Sequence, residues 1–164
     1  MKILHTSDLH LGISLMGRSL LEHQCHLIEE LAKTVRQERI DAVLISGDLF
    51  DRSVVAAEVI ELYNELATKL CIEQGVKVFA IAGNHDGAER LASCGALLER
   101  AGLYVAGRLR EGPRHIRLAQ QGKPVNFFLL PYFSADEVRS LVGKPARDMQ
   151  EALDILLADW MPAR

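Results

Sequence analysis

The sequence predicts an α/β domain built on a parallel sheet, and three observations predict it. Apolar runs at 3–7, 42–46 and 76–82 alternate with stretches whose apolar residues fall at helical spacing. The run Ala42-Val43-Leu44-Ile45 is continuously apolar, as expected of a parallel strand covered on both faces. Each run ends in a cluster of polar residues, the place where an open α/β sheet puts its ligands.

In chain order, the first strand is expected over 2–5 and the first helix over 18–38. That helix carries a stripe of Leu20, Leu27, Leu31 and Val35, with Leu21 and Ile28 beside it. A strand over 42–46 leads to a helix over 56–70 with Val59, Tyr63, Leu66 and Leu70 on one side. Gly75 precedes a strand over 77–82, and a third helix is expected over 88–101, closed by Gly102. The order βαβαβα implies right-handed crossovers in a parallel sheet.

After Gly102 the texture changes. Short strands are expected at 104–106 and 115–118, with Gly112-Pro113 as a turn between them. A second turn at Gln121-Gly122-Lys123-Pro124 leads to an apolar strand over 125–130. Ser134 and Glu137 have capping-box spacing and start a short helix that Gly143 and Pro145 end. A last helix is expected over 148–160, with Met149, Leu153, Leu156 and Trp160 at helical spacing and Pro162 beyond.

Composition narrows the function classes. The 164 residues are 49% hydrophobic and 25% charged, the make-up of one globular domain with a real core. No apolar run approaches the roughly 20 residues of a membrane helix. The chain enters its first strand directly, and no signal peptide is read. Cys25, Cys71 and Cys94 are widely spaced, which fits reduced thiols and a cytoplasmic location. Net charge is −3, so charge gives no support for nucleic-acid binding. The one basic cluster, Arg100, Arg108, Arg110, Arg114 and Arg117, reads first as a solvated surface and second as a phosphate contact.

The three strand ends present Asp8 and His10, then Asp48 and Asp51, then Asn84, His85 and Asp86. Asp8 and His10 are two apart, so in extended chain they share a side and suit one divalent metal. Gly47 permits a tight turn before Asp48, whose two carboxylate oxygens suit a bridge between two ions. Asn84 offers a neutral oxygen to the second. Mixed oxygen and nitrogen donors favour Mn²⁺, Fe²⁺ or Zn²⁺ over Mg²⁺ alone. Two such ions about 3.5–4 Å apart are the usual device for hydrolysing phosphate esters. His85 is expected to point away from the ions and protonate the leaving oxygen, with Asp86 orienting its ring. Asp51 reads as a turn or supporting residue rather than a ligand.

Each motif has a plainer explanation. Asp-x-His occurs by chance, and Gly-Asp makes ordinary turns. Three such motifs in order, each at a strand end, argue for a site. His5 reads as a hydrogen-bonded strand residue in the core or behind the ligands. His23, His26 and His115 read as surface residues of the first helix and the basic hairpin.

Ile3-Leu4-His5-Thr6-Ser7-Asp8-Leu9-His10-Leu11-Gly12, Gly47-Asp48-Leu49-Phe50-Asp51 and Ala82-Gly83-Asn84-His85-Asp86 resemble the motifs of the calcineurin-like metallophosphoesterases. The closer resemblance is to their DNA-repair nuclease branch, the SbcD-type nucleases, and Leu130-Pro131-Tyr132 before a short helix adds to it. It implies a four-layer α/β/β/α sandwich and two divalent ions, usually manganese. Asp8 and His10 would bind the first ion, Asp48 would bridge, Asn84 would bind the second, and His85 would act on the leaving group. The implied reaction is DNA phosphodiester hydrolysis, as 3′–5′ exonuclease and endonuclease in repair, recombination and replication. The implied partners are DNA, an SbcC-type ATPase, and a second copy through the helices after the second and third motifs.

One departure is large. The family draws further ligands from a Gly-His and a Gly-His-x-His motif, and this chain has neither; after His85 its one histidine is His115, preceded by Arg114. The expectation is an N-terminal portion of the sandwich with an incomplete dimetal site, lacking the capping and ATPase-binding regions. Rival readings are a protein phosphatase or cyclic-nucleotide phosphodiesterase of the same superfamily, and a non-catalytic scaffold. Asp51-Arg52-Ser53 lacks the Arg-Gly that protein phosphatases carry there.

Overall fold

The computed structural model describes residues 1–109, 113–120 and 122–160. In chain order the elements are β1 (Ile3–Thr6), β2 (Ser14–Leu15), β3 (Arg18–Ser19), α1 (Leu21–Gln37), β4 (Ala42–Ser46), α2 (Ala57–Ala67) and β5 (Lys77–Ile81). There follow α3 (Ala88–Leu91), α4 (Gly95–Ala101), β6 (Leu103–Ala106), β7 (Arg114–Gln120), β8 (Lys123–Leu129), α5 (Ala135–Val142) and α6 (Met149–Trp160).

β1, β4, β5 and β6 form one parallel sheet in that spatial order. Its register sets Leu4, Val43, Val78 and Leu103 in one cross-strand row and His5, Leu44, Phe79 and Tyr104 in the next. Because side chains alternate, the two rows face opposite ways. On one face Val43, Ile45, Val78 and Ala80 pack with Ile28, Ala32 and Val35 of α1 and Leu62 and Leu66 of α2. On the other, Phe79, Ala42 and Ala106 pack with Ile116, Phe127 and Leu129 of the β7–β8 hairpin. The Phe79 ring stacks on Phe127 at 4.0 Å and on Tyr104 at 5.0 Å. Helices, parallel sheet and antiparallel hairpin therefore lie in the order expected of the metallophosphoesterase sandwich. A third cluster joins α5 and α6 through Phe133, Val138, Ala146, Ala152 and Leu156.

The capping box forms as expected. Ser134 Oγ accepts from the Glu137 N–H at 3.2 Å, and Glu137 Oε2 accepts from the Ser134 N–H at 2.8 Å. Gly143 then ends α5 in the left-handed conformation, φ 69°.

Several boundaries differ from the sequence reading. The first helix begins at Leu21 rather than 18, because Met16 and Gly17 take positive φ (51° and 77°) and fold residues 14–19 into a hairpin. The second helix loses α spacing at Thr68 and ends in a π-helical turn, Thr68–Glu73. The expected third helix is two, broken where Cys94 turns left-handed at φ 56°. The strand after Gly102 is not part of a new texture, since β6 extends the parallel sheet beside β5. β7 and β8 are longer than expected and pair from Arg114↔Leu129 to Gln120↔Lys123. The expected turn at Gly112-Pro113 lies partly outside the described residues, as do Gln121 of the next turn and Pro162.

Phe79 joins the sheet to the hairpin layer and is 3% exposed. Phe79→Ala is expected to cost about 3–5 kcal/mol in urea unfolding, and a loss under about 1 kcal/mol would show that the hairpin is held elsewhere.

Candidate metal centre

Parallel pairing brings the C-terminal ends of β1, β4 and β5 to one edge. There the chain after β1 and the chain after β4 stay laced together. The Asp8 N–H donates to the Gly47 carbonyl (3.1 Å), His10 to Asp48 (3.0 Å) and Leu11 to Leu49 (2.9 Å). Asp51 returns a bond to the Leu11 carbonyl at 3.1 Å. Asp8, His10 and Asp48 all hold left-handed backbone, φ 56°, 42° and 46°. Such conformations strain residues with a Cβ and gather at functional sites.

The side chains form two overlapping groups. Asp8, His10 and Asp48 bring one ligand atom each to within 4.8 Å of one another, and so do His10, Asp51 and His85. His10 belongs to both. Its Nε2 lies 3.9 Å from Asp8 Oδ1 and its Nδ1 lies 3.6 Å from Asp51 Oδ1. Neither is a hydrogen-bond distance, and the buried His10 Nδ1 has no hydrogen-bond partner. The His10 and His85 rings meet edge to face at 5.0 Å. Asp8 and Asp48 in one group and Asp51 in the other set carboxylate oxygens around one imidazole. This oxygen and nitrogen donor set fits a divalent metal. Asp51, read from sequence as a supporting residue, faces the His10 ring as a carboxylate does in a carboxylate–histidine–metal arrangement.

Asn84 is exposed and lines a cleft of about 530 Å³ with Asp48, Gly83, Tyr132 and, from α6, Met149 and Gln150. The Tyr132 N–H donates to the Ala82 carbonyl at 2.8 Å and fixes the cleft wall against the end of β5. Asp48 is the residue common to this cleft and the carboxylate–imidazole cluster.

His85 is held by the second motif. Its Nδ1–H donates to the Asp51 carbonyl at 3.0 Å, and its backbone N–H donates to Asp48 Oδ1 at 3.0 Å. The Asp51 carbonyl raises the pKa of the exposed ring; partial burial opposes this, and the charges of Asp48, Asp51 and Asp86 add to it.

Asp86 corrects the sequence reading. It was expected to orient the His85 ring, a task the Asp51 carbonyl performs. The Asp86 carboxylate is 8% exposed and accepts from the N–H groups of Leu49 (3.2 Å), Phe50 (2.8 Å) and Gly83 (2.8 Å). Asp and Asn after a strand are ordinary turn formers, so the sequence did not separate the two roles.

The sequence reading also missed two residues. At Gly83 a Cβ would fall 2.1 Å from Asp48 Oδ1 and 2.4 Å from Asp48 N, so two strand ends approach through its missing side chain. Gln24 is buried on α1 and bonds the chain after β1. A polar residue one turn before Ile28 in an apolar stripe was the available signal.

The other histidines lie outside both groups. His5 is exposed rather than core, with Nε2 2.8 Å from Ser46 Oγ. His23 is exposed on α1, and His26 is exposed beside Glu29 at 3.8 Å. His115 pairs with Asn126 Oδ1 at 2.9 Å and stacks on Phe128. Of the basic cluster, Arg114 is paired with Glu99 and donates to the Val105 carbonyl, and Arg108 faces Glu89 at 3.7 Å. Arg110 lies outside the described residues.

Residues 1–159 match the calcineurin-like phosphoesterase family. The chain belongs to that family. Membership implies divalent metal ions, and Asp8, His10 and Asp48 form one group whose donors could hold one. A protein from Staphylococcus epidermidis, named as the SbcD component of the nuclease SbcCD, is 36% identical over 155 residues, 94% of this chain and 40% of that protein. One of the same name from Staphylococcus saprophyticus is 31% identical over 159 residues, 96% of this chain and 41% of that protein. The chain thus spans about two-fifths of the length of these relatives. Among the described residues no helix is long and apolar enough to cross a membrane.

Gly83→Ala is expected to push the Asp48 carboxylate out of place and so to shift the signal of the His85 amide that donates to it, read by nuclear magnetic resonance of the metal-free protein. Asp86→Ala leaves three backbone donors without their acceptor; a loss of at least about 3 kcal/mol in denaturant unfolding is expected, and a neutral change would remove Asp86 as the tie between the two loops.

Proposed function

We propose that these residues are the N-terminal part of a metal-dependent DNA phosphodiesterase, the exonuclease and endonuclease component of an SbcCD-type complex. The observation that carries the reading is the convergence of Asp8, His10, Asp48, Asp51 and His85 at one sheet edge, in a chain over 30% identical to two proteins named as such nuclease components. Asp8 and His10 would hold the first divalent ion, Asp48 would serve both, and Asn84 would hold the second, with Mn²⁺ the metal this donor set suits. When bound, the pair of ions activates water and neutralises charge on the phosphoryl oxygens. His85 donates through Nδ1 to the Asp51 carbonyl, which leaves Nε2 to face the leaving oxygen. The Asp51 carbonyl thus fixes the Nδ1–H and the orientation of the ring, so that Nε2 is the atom a general acid would use.

Two features support a centre shared with residues beyond these 164. The sequence holds neither Gly-His nor Gly-His-x-His, and the relatives extend well past the matched span. The missing imidazoles, the capping region and the ATPase-binding segment belong to that remainder in this reading. The partners are DNA and an SbcC-type ATPase, as the relatives' name suggests, with a second copy docking through α2 and α3–α4. The setting is the cytoplasm, in DNA repair, recombination and replication.

Calorimetric titration of the metal-free chain with Mn²⁺ tests the shared centre. Weak binding of one ion or fewer is expected, and tight binding of two would overturn it. Hydrolysis of DNA, a phosphopeptide and a cyclic nucleotide by the protein that includes the remainder, each with Mn²⁺, tests the substrate class; a preference for either of the last two overturns the nuclease reading. In the protein that includes the remainder, His85→Asn is expected to slow DNA hydrolysis by about 10²–10⁴-fold.

A further inference from the structure

The chain after β1 must hold Asp8 and His10 in left-handed backbone. One side of it is fixed by the chain after β4, through the bonds to Gly47, Asp48 and Leu49. The other side is met by Gln24 of α1, and the His10 carbonyl also accepts from the Ile13 N–H at 3.0 Å. Gln24 of α1 is 6% exposed. Its Oε1 accepts from the Gly12 N–H at 2.9 Å, and its Nε2 donates to the carbonyls of His10 at 2.8 Å and Leu9 at 3.2 Å. A primary amide has two donor hydrogens and one acceptor oxygen, so all three bonds suit this side chain.

The anchor behind it is rigid. Gln24, Ile28, Ala32 and Val35 are the buried residues of α1, and the last three are locked into the core against the sheet. Gly12, whose φ is 90°, has no room for a side chain because a Cβ would meet Val59 at 2.8 Å. The backbone of residues 9–12 is thus clamped between α1, α2 and the chain after β4, and the His10 carbonyl is one of the points gripped.

We infer that Gln24 is a positioning residue for His10: its amide fixes the backbone from which the His10 imidazole reaches both Asp8 and Asp51. The role of His10 as a metal ligand rests on the functional reading above, whereas the positioning is a property of the metal-free protein. Leucine at this position has similar volume and makes none of the three bonds. Glutamate keeps an acceptor for Gly12 and sets a carboxylate against two carbonyls.

The test compares wild type, Gln24→Leu, Gln24→Glu and, as a control for loosening α1 alone, Ile28→Val. Nuclear magnetic resonance of the metal-free proteins follows the His10 ring signals and the exchange of the Gly12 amide. Mn²⁺ is then added and its broadening of the His10 signals followed, with thermal midpoints in parallel. Both Gln24 variants are expected to shift the His10 ring signals. The leucine variant is expected to speed Gly12 exchange at least about tenfold and to raise the Mn²⁺ needed for half-broadening about 10–100-fold. Ile28→Val lowers the midpoint and leaves His10 in place. The proposal is overturned if the metal-free His10 signals stay put in both Gln24 variants, or if Ile28→Val moves them equally. The metal-free readings decide the matter even where Mn²⁺ binds too weakly to broaden a signal. A preference for a phosphopeptide or a cyclic nucleotide over DNA, in the protein that includes the remainder, would sink the nuclease reading and leave the role of Gln24 standing.

Discussion

The Asp86 carboxylate gathers N–H groups from Leu49, Phe50 and Gly83, and so ties the chain after β4 to the chain after β5. The rest of the site hangs on that tie. Asp48 directly precedes one of the bonded residues, and Asn84 and His85 directly follow another. A buried carboxylate satisfied by backbone donors is a rigid joint, because each bond is charge-assisted and shielded from water. The chain after β1 joins this frame through Gly47, Asp48 and Leu49, and Gln24 closes it from the helix side.

The sheet makes that joint possible at low conformational cost. Parallel strands put every C-terminal end on one edge, and the helices between them carry the chain back behind the sheet. The two faces then do different work. One buries the α1–α2 layer and fixes the distances between strand ends. The other carries the β7–β8 hairpin, and the segment after β8 returns to the same edge, where the Tyr132 bond to Ala82 makes it a wall of the cleft beside Asp48.

Much of this was legible in the residues. β4 was predicted residue for residue because Ala42-Val43-Leu44-Ile45 has one reading, and the Ser134–Glu137 spacing named its own cap. The motif residues Asp8, His10, Asp48 and His85 were visible because polar chemistry at the end of an apolar strand stands out. What stayed hidden was set by backbone conformation or long-range contact. Met16 and Cys94 turn left-handed without being glycine, so a helix start and a helix break went unseen. Asp86 and Gln24 act on backbone groups distant in sequence, and no local pattern reports that. His5 sits in an apolar strand yet on a part of the sheet face that leaves it exposed.

The left-handed backbone at Asp8, His10 and Asp48 has a consequence for how such a protein responds to selection. Each of these residues stores strain on the order of 1–3 kcal/mol that glycine would release. A population of variants screened for heat resistance alone would therefore drift toward glycine at these positions. Its winners would be sturdier and would lack the two carboxylates and the imidazole of the candidate centre. Firmness of fold and the donor set at this edge therefore pull these three positions in opposite directions.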